Sequence, residues 1–186
     1  MNSNNLRIFS YLPNPRLFKS SITARICDVE IEIRGAKPNE LPGWLWDFDA
    51  KPLDEISLED VKKNSRDPSK GFEKKLVKTD SFLRAHPFGS VPAAFSPDGT
   101  VGVFESNSIM RAVARLGNNE TDIYGSDPFS ASRIDSFLDS SLIFARDSQI
   151  YLLSLMQGGL RDYVYNSAKT ATNDWLKGID KALGDT

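Results

Sequence analysis

One cysteine and one histidine are all that this chain of 186 residues offers to redox and metal chemistry. With Cys27 alone, no disulfide can close within the chain, a usage that suits a reducing compartment. Cys27 and His86 together fall short of the four-ligand sets of structural zinc sites, so no metal is expected. Cys27 reads as a small apolar filler at a helix end, and His86, just ahead of Pro87, as a structural or surface residue. Excess positive charge is missing too. The net charge is −2, which excludes a large phosphate-neutralising patch and hence a nucleic-acid partner. No apolar run approaches the roughly 20 residues that cross a bilayer, so no membrane partner is expected. The first residues, Met1-Asn2-Ser3-Asn4-Asn5, are polar and read as no signal peptide. The location expected from these absences is the cytoplasm.

What is present is ordinary globular material, 40% hydrophobic and 26% charged, enough for a core. Leu6-Arg7-Ile8-Phe9-Ser10-Tyr11 alternates and predicts a strand. Pro15 suits the first turn of a helix running to about Cys27. Residues 28–33 alternate acid and aliphatic side chains, predicting a second strand and so a βαβ unit with parallel, right-handed pairing. Short apolar strands over 92–95 and 101–104 flank a Pro-Asp-Gly turn, and a helix follows over 106–116. Residues 127–186 predict two long helices broken at Gly158-Gly159, with Ile134, Phe137, Leu138, Leu142 and Ala145 on one face of the first. A polar, turn-rich stretch over 118–127 reads as a linker.

Residues 85–109 carry the chemistry. Val91-Pro92 stands at a strand edge, where proline is costly without a purpose. An X-Pro bond there can be cis and leave the main chain of Val91 open to pair with an extended peptide ligand. Ser106 opens a helix and offers free N–H groups and a positive dipole end to a carboxylate. Together they predict a site for a small, acidic, peptide-like molecule. Glu105-Ser106 alone would suit any helix start; it is the spacing after Val-Pro and a hairpin that gives it weight.

Val91-Pro92 followed by Phe104-Glu105-Ser106-Asn107-Ser108-Ile109 resembles the glutathione transferase superfamily, most closely the pattern of the transferase-like domain of the gamma subunit of translation elongation factor 1. The resemblance covers residues 6–35 and 77–117 well and 127–186 loosely. It implies an α/β thioredoxin-like N-terminal domain over 1–120 and a partial all-α C-terminal domain over 127–186. Residues 36–77 then form an insert where the family has a much shorter link. Trp44, Trp46 and Phe48 are expected to pack that insert onto the domain, with lining of an apolar wall as the rival role. Lys62-Lys63 and Lys74-Lys75 read as solvated surface. The resemblance also implies further helices after the two at 127–186, which cannot enclose a core alone.

The resemblance implies glutathione as co-substrate, with no metal. Val91 would pair through its main chain with the cysteinyl part, and Pro92 would be the cis proline. Glu105 would accept the γ-glutamyl amine, and Ser106 would hold its carboxylate. Where the family often has a lysine for the glycyl carboxylate this chain has Ser90, so Lys78 or Arg16 is expected to compensate. The thiol must react as thiolate, and the stabilising hydroxyl is assigned to Tyr11 at the end of the first strand, with Ser10 and Asn14 as rivals. The function implied is a glutathione transferase that joins the thiolate to an apolar electrophile, a small-molecule partner. The alternative is a non-catalytic interaction module related to elongation factor 1 gamma. Either is expected to form a homodimer.

Overall fold

Alternation sets the first strand, β1 (Leu6–Tyr11), and divides the core in two. In the computed structural model, which describes residues 5–68, 72–117, 122–156 and 158–184 (Met156 by its backbone alone), Leu6 and Ile8 pack on one side of β1 and Phe9 and Tyr11 on the other. Residues 1–4 of the polar N-terminus and 118–121 of the expected linker lie outside the described residues.

Helix α1 (Pro15–Ile26) starts where proline needs no N–H, and Asn14 Oδ1 accepts from the Arg16 amide at 3.0 Å. It ends at Cys27, which is buried as expected. Asp28 then takes φ 52°, and the Val29 amide reaches back to the Ala24 carbonyl at 2.8 Å, a Schellman closure made without glycine. That turn consumes the start of the expected second strand. Strand β2 is Ile31–Ala36 rather than 28–33, parallel to β1 from Leu6↔Ile31 to Tyr11↔Ala36. At Gly35 (φ +146°) a Cβ would stand 1.7 Å from the Ser10 carbonyl oxygen, so only glycine lets the strands meet there.

The segment after β2 is a folded layer. It contains β3 (Trp44–Trp46), β4 (Lys51–Pro52), α2 (Leu58–Asn64), β5 (Ser65–Arg66), β6 (Leu76–Lys78) and α3 (Asp80–Ala85). These strands form their own sheet in the order β4-β3-β6-β5, with β3 and β6 parallel. The chain then returns through β7 (Ala93–Phe95) and β8 (Gly102–Phe104) to complete a first sheet of order β2-β1-β7-β8, followed by α4 (Ser106–Leu116). Asp98 fixes the intervening turn. Its carboxylate accepts from the hydroxyls of Ser96 and Thr100 and from the Thr100 amide, which hold its pKa down at about 2.

Each face of the first sheet has a distinct cover. Leu6, Ile8 and Ala94 pack against Leu17 and Ala24 of α1 and Ile109 and Val113 of α4. Phe9, Ala93 and Phe95 pack against Leu41, Trp46, Ala50, Leu76 and Phe82 of the segment after β2. Trp46 is wholly buried, edge-on to Phe9 (5.5 Å), Phe72 (5.4 Å) and Phe82 (6.0 Å), and its indole N–H donates to the Leu41 carbonyl at 3.2 Å. Charges tie the margin: Arg7 to Glu32 (3.0 Å), and Arg34 to Glu32 and Asp49, the last at 2.7 Å. The Trp-rich residues thus pack the segment onto the domain, and Trp44–Trp46 is a strand rather than a loop.

Residues 125–186 form a separate compact unit of two helices, α5 (Pro128–Met156) and α6 (Asp162–Gly184). Asp127 opens α5 by accepting from the Phe129 amide (2.7 Å) and the Ser130 hydroxyl and amide, which depress its pKa. Between the helices Gly158 turns with φ +68°. Phe144 stacks on Trp175 at 6.1 Å, yet among the described residues Phe129, Ile143 and Leu176 stay exposed. The architecture is an α/β thioredoxin-like unit followed by helices.

Candidate functional site

Strand register decides which candidates meet. Ala93 pairs with Phe9 on one side and with Phe104 on the other. The residues just outside these pairs are Tyr11 at the end of β1, Val91-Pro92 before β7, and Glu105-Ser106 after β8. The fold therefore brings five of the six expected site residues to one end of the first sheet. The Val91–Pro92 peptide bond is cis, as is Leu12–Pro13. Val91 is partly exposed and Pro92 buried.

Glu105 is set apart by its backbone. It precedes α4 with φ 67° and ψ 126°, on the positive-φ side where a non-glycine residue stores about 1–3 kcal/mol. Its side chain is exposed and does not cap the helix, so its carboxylate is left at the rim of the site. Ser106 and Asn107 follow at 6% and 1% exposure and form the first turn of α4. Asn107 Oδ1 accepts from the Lys19 ammonium of α1, which ties the two helices at the site. Burial pulls the Lys19 pKa below its ordinary value, with Arg16 and Arg111 adding like charge and Glu105 opposing them. Lys19 and Glu105 thus stand near the positive end of α4 with opposite charges.

The rivals for the thiol-stabilising role are buried and bonded to each other. Ser10 and Asn14 are buried at 0% and 1%, and the Asn14 amide donates to Ser10 Oγ at 2.9 Å while Asn14 caps α1. Tyr11 is partly exposed at the strand end. Lys78 does not join the cluster. It is buried at 4% exposure beneath the loop ahead of Val91, where its ammonium donates to the Gly89 carbonyl at 2.6 Å and lies 4.6 Å from the centre of the Trp46 ring. Sequence reasoning missed the Lys19–Asn107 and Asn14–Ser10 bonds. The signal for the second was the four-residue spacing from strand end to helix cap.

No surface histidine stands at position 86. His86 is 2% exposed, stacked on Phe104 at 4.9 Å and on Phe82 at 6.0 Å. Among the described residues no group of three or more His, Cys, Asp or Glu side chains could hold a metal ion, and no helix is long and apolar enough to cross a membrane.

No family model matches the chain. It is similar to elongation factor 1-gamma 3 of Oryza sativa subsp. japonica, 40% identical over 74 residues, which is 39% of this chain and 17% of that protein. It is likewise similar to elongation factor 1-gamma 2 of the same plant, 39% identical over 107 residues, 58% of this chain and 24% of the other. The chain thus matches less than a quarter of the length of these curated relatives. Among solved structures it resembles glutathione transferase F2 from Populus trichocarpa, with a TM-score of 0.60 at 17% identity over 97% of this chain and 71% of that one. A second neighbour is the Bombyx mori glutathione transferase BmGSTD1, with a TM-score of 0.58 at 15% identity, covering 94% and 67%. The fold is that of the glutathione transferases, and the sequence is similar to elongation factor 1-gamma.

Proposed function

We propose that the chain binds glutathione at the sheet end formed by Tyr11, Val91-Pro92, Glu105 and Ser106, and joins its thiolate to an apolar electrophile. The observation that carries the reading is the meeting, at one edge, of the main chain of Val91 with the buried Ser106 and the positive-φ Glu105. The main chain of Val91 pairs with the cysteinyl residue in an extended, strand-like manner. The Ser106 hydroxyl and amide take the γ-glutamyl carboxylate, and Glu105 takes the amine. The thiol, with an ordinary pKa of about 8.5, needs roughly 1.4 kcal/mol of anion stabilisation for each unit of depression. The Tyr11 hydroxyl donates to the thiolate. The assembly proposed is a cytoplasmic homodimer.

A second reading is favoured by the similarity to elongation factor 1-gamma, namely a non-catalytic interaction module that keeps the fold. Titration calorimetry with glutathione, together with turnover of an activated aryl halide, separates the two. Binding with turnover supports the transferase, and binding without turnover supports the module. If neither is seen at millimolar glutathione, the ligand reading is overturned. Ser106→Ala removes a charge-assisted bond and should weaken glutathione by about 1.5–3 kcal/mol. Unchanged affinity would make Ser106 a helix-start residue only.

A further inference from the structure

The sheet end just described depends on a loop that no strand pairing of the first sheet holds. Residues 86–92 run from the end of α3 to β7, outside any strand, and still have to present Val91 in one orientation. Phe88 and His86 pack on Phe104, and three polar contacts hold the turn itself. The Gly89 amide donates to the His86 carbonyl at 2.8 Å. Ser90 Oγ lies 3.4 Å from His86 Nε2, at the margin of a hydrogen bond. The Lys78 ammonium donates to the Gly89 carbonyl at 2.6 Å. Only the last is charge-assisted and buried, and such bonds are about twice as strong as neutral ones.

Lys78 is an expensive residue to place there. It ends β6 in the second sheet, with its side chain 4% exposed and its ammonium over the face of the fully buried Trp46. Burying an ammonium is unfavourable unless it is well bonded, and burial does pull its pKa below the ordinary value. Gly89 is shaped to receive it. With φ +55°, it turns the chain, and a Cβ there would stand 3.3 Å from Lys78 Nζ. His86, stacked between Phe82 and Phe104, anchors the other end of the turn.

We propose that Lys78 is a positioning residue: its buried ammonium grips the Gly89 carbonyl and so holds the loop that presents the Val91 main chain to a peptide-like ligand. The ligand half of this statement rests on the glutathione reading above; the loop half does not. The second sheet then serves the site at a distance, through one side chain reaching from β6 to the loop.

The test uses the full chain with Lys78→Met, Lys78→Gln and Lys78→Arg. Two quantities are read: amide hydrogen exchange at Gly89 and Val91 against Ile8 and Phe9 in β1, and the glutathione dissociation constant by calorimetry. Losing the charge-assisted bond should speed exchange at Gly89 and Val91 by about tenfold or more while Ile8 and Phe9 are unchanged. Glutathione affinity should fall by a similar factor, and Lys78→Arg should recover part of both. Lys78→Gln keeps a neutral donor and carries the test if Lys78→Met does not fold. Weaker glutathione binding with unchanged loop exchange would overturn the proposal and make Lys78 a ligand contact. A lower melting temperature with unchanged exchange and affinity would also overturn it, leaving Lys78 a packing residue. If the wild-type chain binds no glutathione, the function fails, while the exchange arm still decides whether Lys78 holds the loop.

Discussion

Replacing Trp46 by alanine tests whether the second sheet is part of the core or an attachment to it. Trp46 is 0% exposed and touches Phe9 of the first sheet and Phe72 and Phe82 of the segment after β2. Truncating a buried tryptophan costs about 3–5 kcal/mol in lost transfer energy and cavity. The Leu41 carbonyl also loses its indole partner, which adds about 1 kcal/mol. The aromatic contacts overlap with the cavity term and are not added again. The expected loss is about 4–6 kcal/mol, against the 5–15 kcal/mol that holds a typical domain together. Urea unfolding followed by far-UV circular dichroism measures it, since Trp46 is itself a fluorophore and its removal would distort an emission signal. The midpoint should fall steeply and the transition should stay single. A loss below about 1 kcal/mol, or a separate low-urea transition for the second sheet with the main one unmoved, would refute the reasoning.

Three further outcomes follow from the same geometry. Asn14→Ala removes both the α1 cap and the bond to Ser10 in a buried setting, and should cost about 1–3 kcal/mol by thermal or urea unfolding; a change within error would show that water replaces both bonds. Burial holds the His86 imidazole below its ordinary range, Lys78 adding to this and Glu105 opposing it, so the unfolded chain takes up a proton first as pH falls. Stability should therefore be lost as pH drops below the unfolded value of about 6.5 toward the lower folded value, and His86→Phe should flatten that part of the profile; equal slopes in both proteins would refute it. Tyr11→Phe should raise the apparent pKa of bound glutathione and slow conjugation with little change in binding, read from thiolate absorbance against pH; an unmoved titration would remove Tyr11 from the chemistry.

The elements that alternate or carry end signals were legible in the sequence. Pro15 marked α1, Gly158-Gly159 marked the break between the long helices, and the Pro97-Asp98-Gly99 turn marked the β7–β8 hairpin. The second strand was misplaced by three residues because Asp28 adopts a conformation that a sequence reader assigns to glycine. The second sheet was illegible for a different reason. Its strands are two or three residues long, too short for a period, and tertiary packing such as that of Trp46 and Phe82 on Phe9 and Phe95 gives them a place. Four of the candidate site residues, Val91, Pro92, Glu105 and Ser106, drew notice because they fall within residues 91–106, and Tyr11 because it ends β1. Lys78 was noticed for its charge alone, and no spacing rule could announce that it would be buried under Gly89.

The second sheet also alters the order in which the chain can assemble. The central pairing of the first sheet joins Phe9 to Ala93, and all of β3 to β6 lies between them along the chain. Closing so long a loop carries an entropic cost that grows with the logarithm of its length, about 0.6 kcal/mol for each doubling. Once Leu45 pairs with Val77, the path from β1 to β7 is short-circuited, because the residues between those partners no longer count as free chain. A chain that forms the inserted sheet first would close the edge that gathers Tyr11, Val91 and Ser106 over a shorter free loop. A lesion that breaks the β3–β6 pairing would therefore also slow the appearance of that edge, because a longer free loop would have to close.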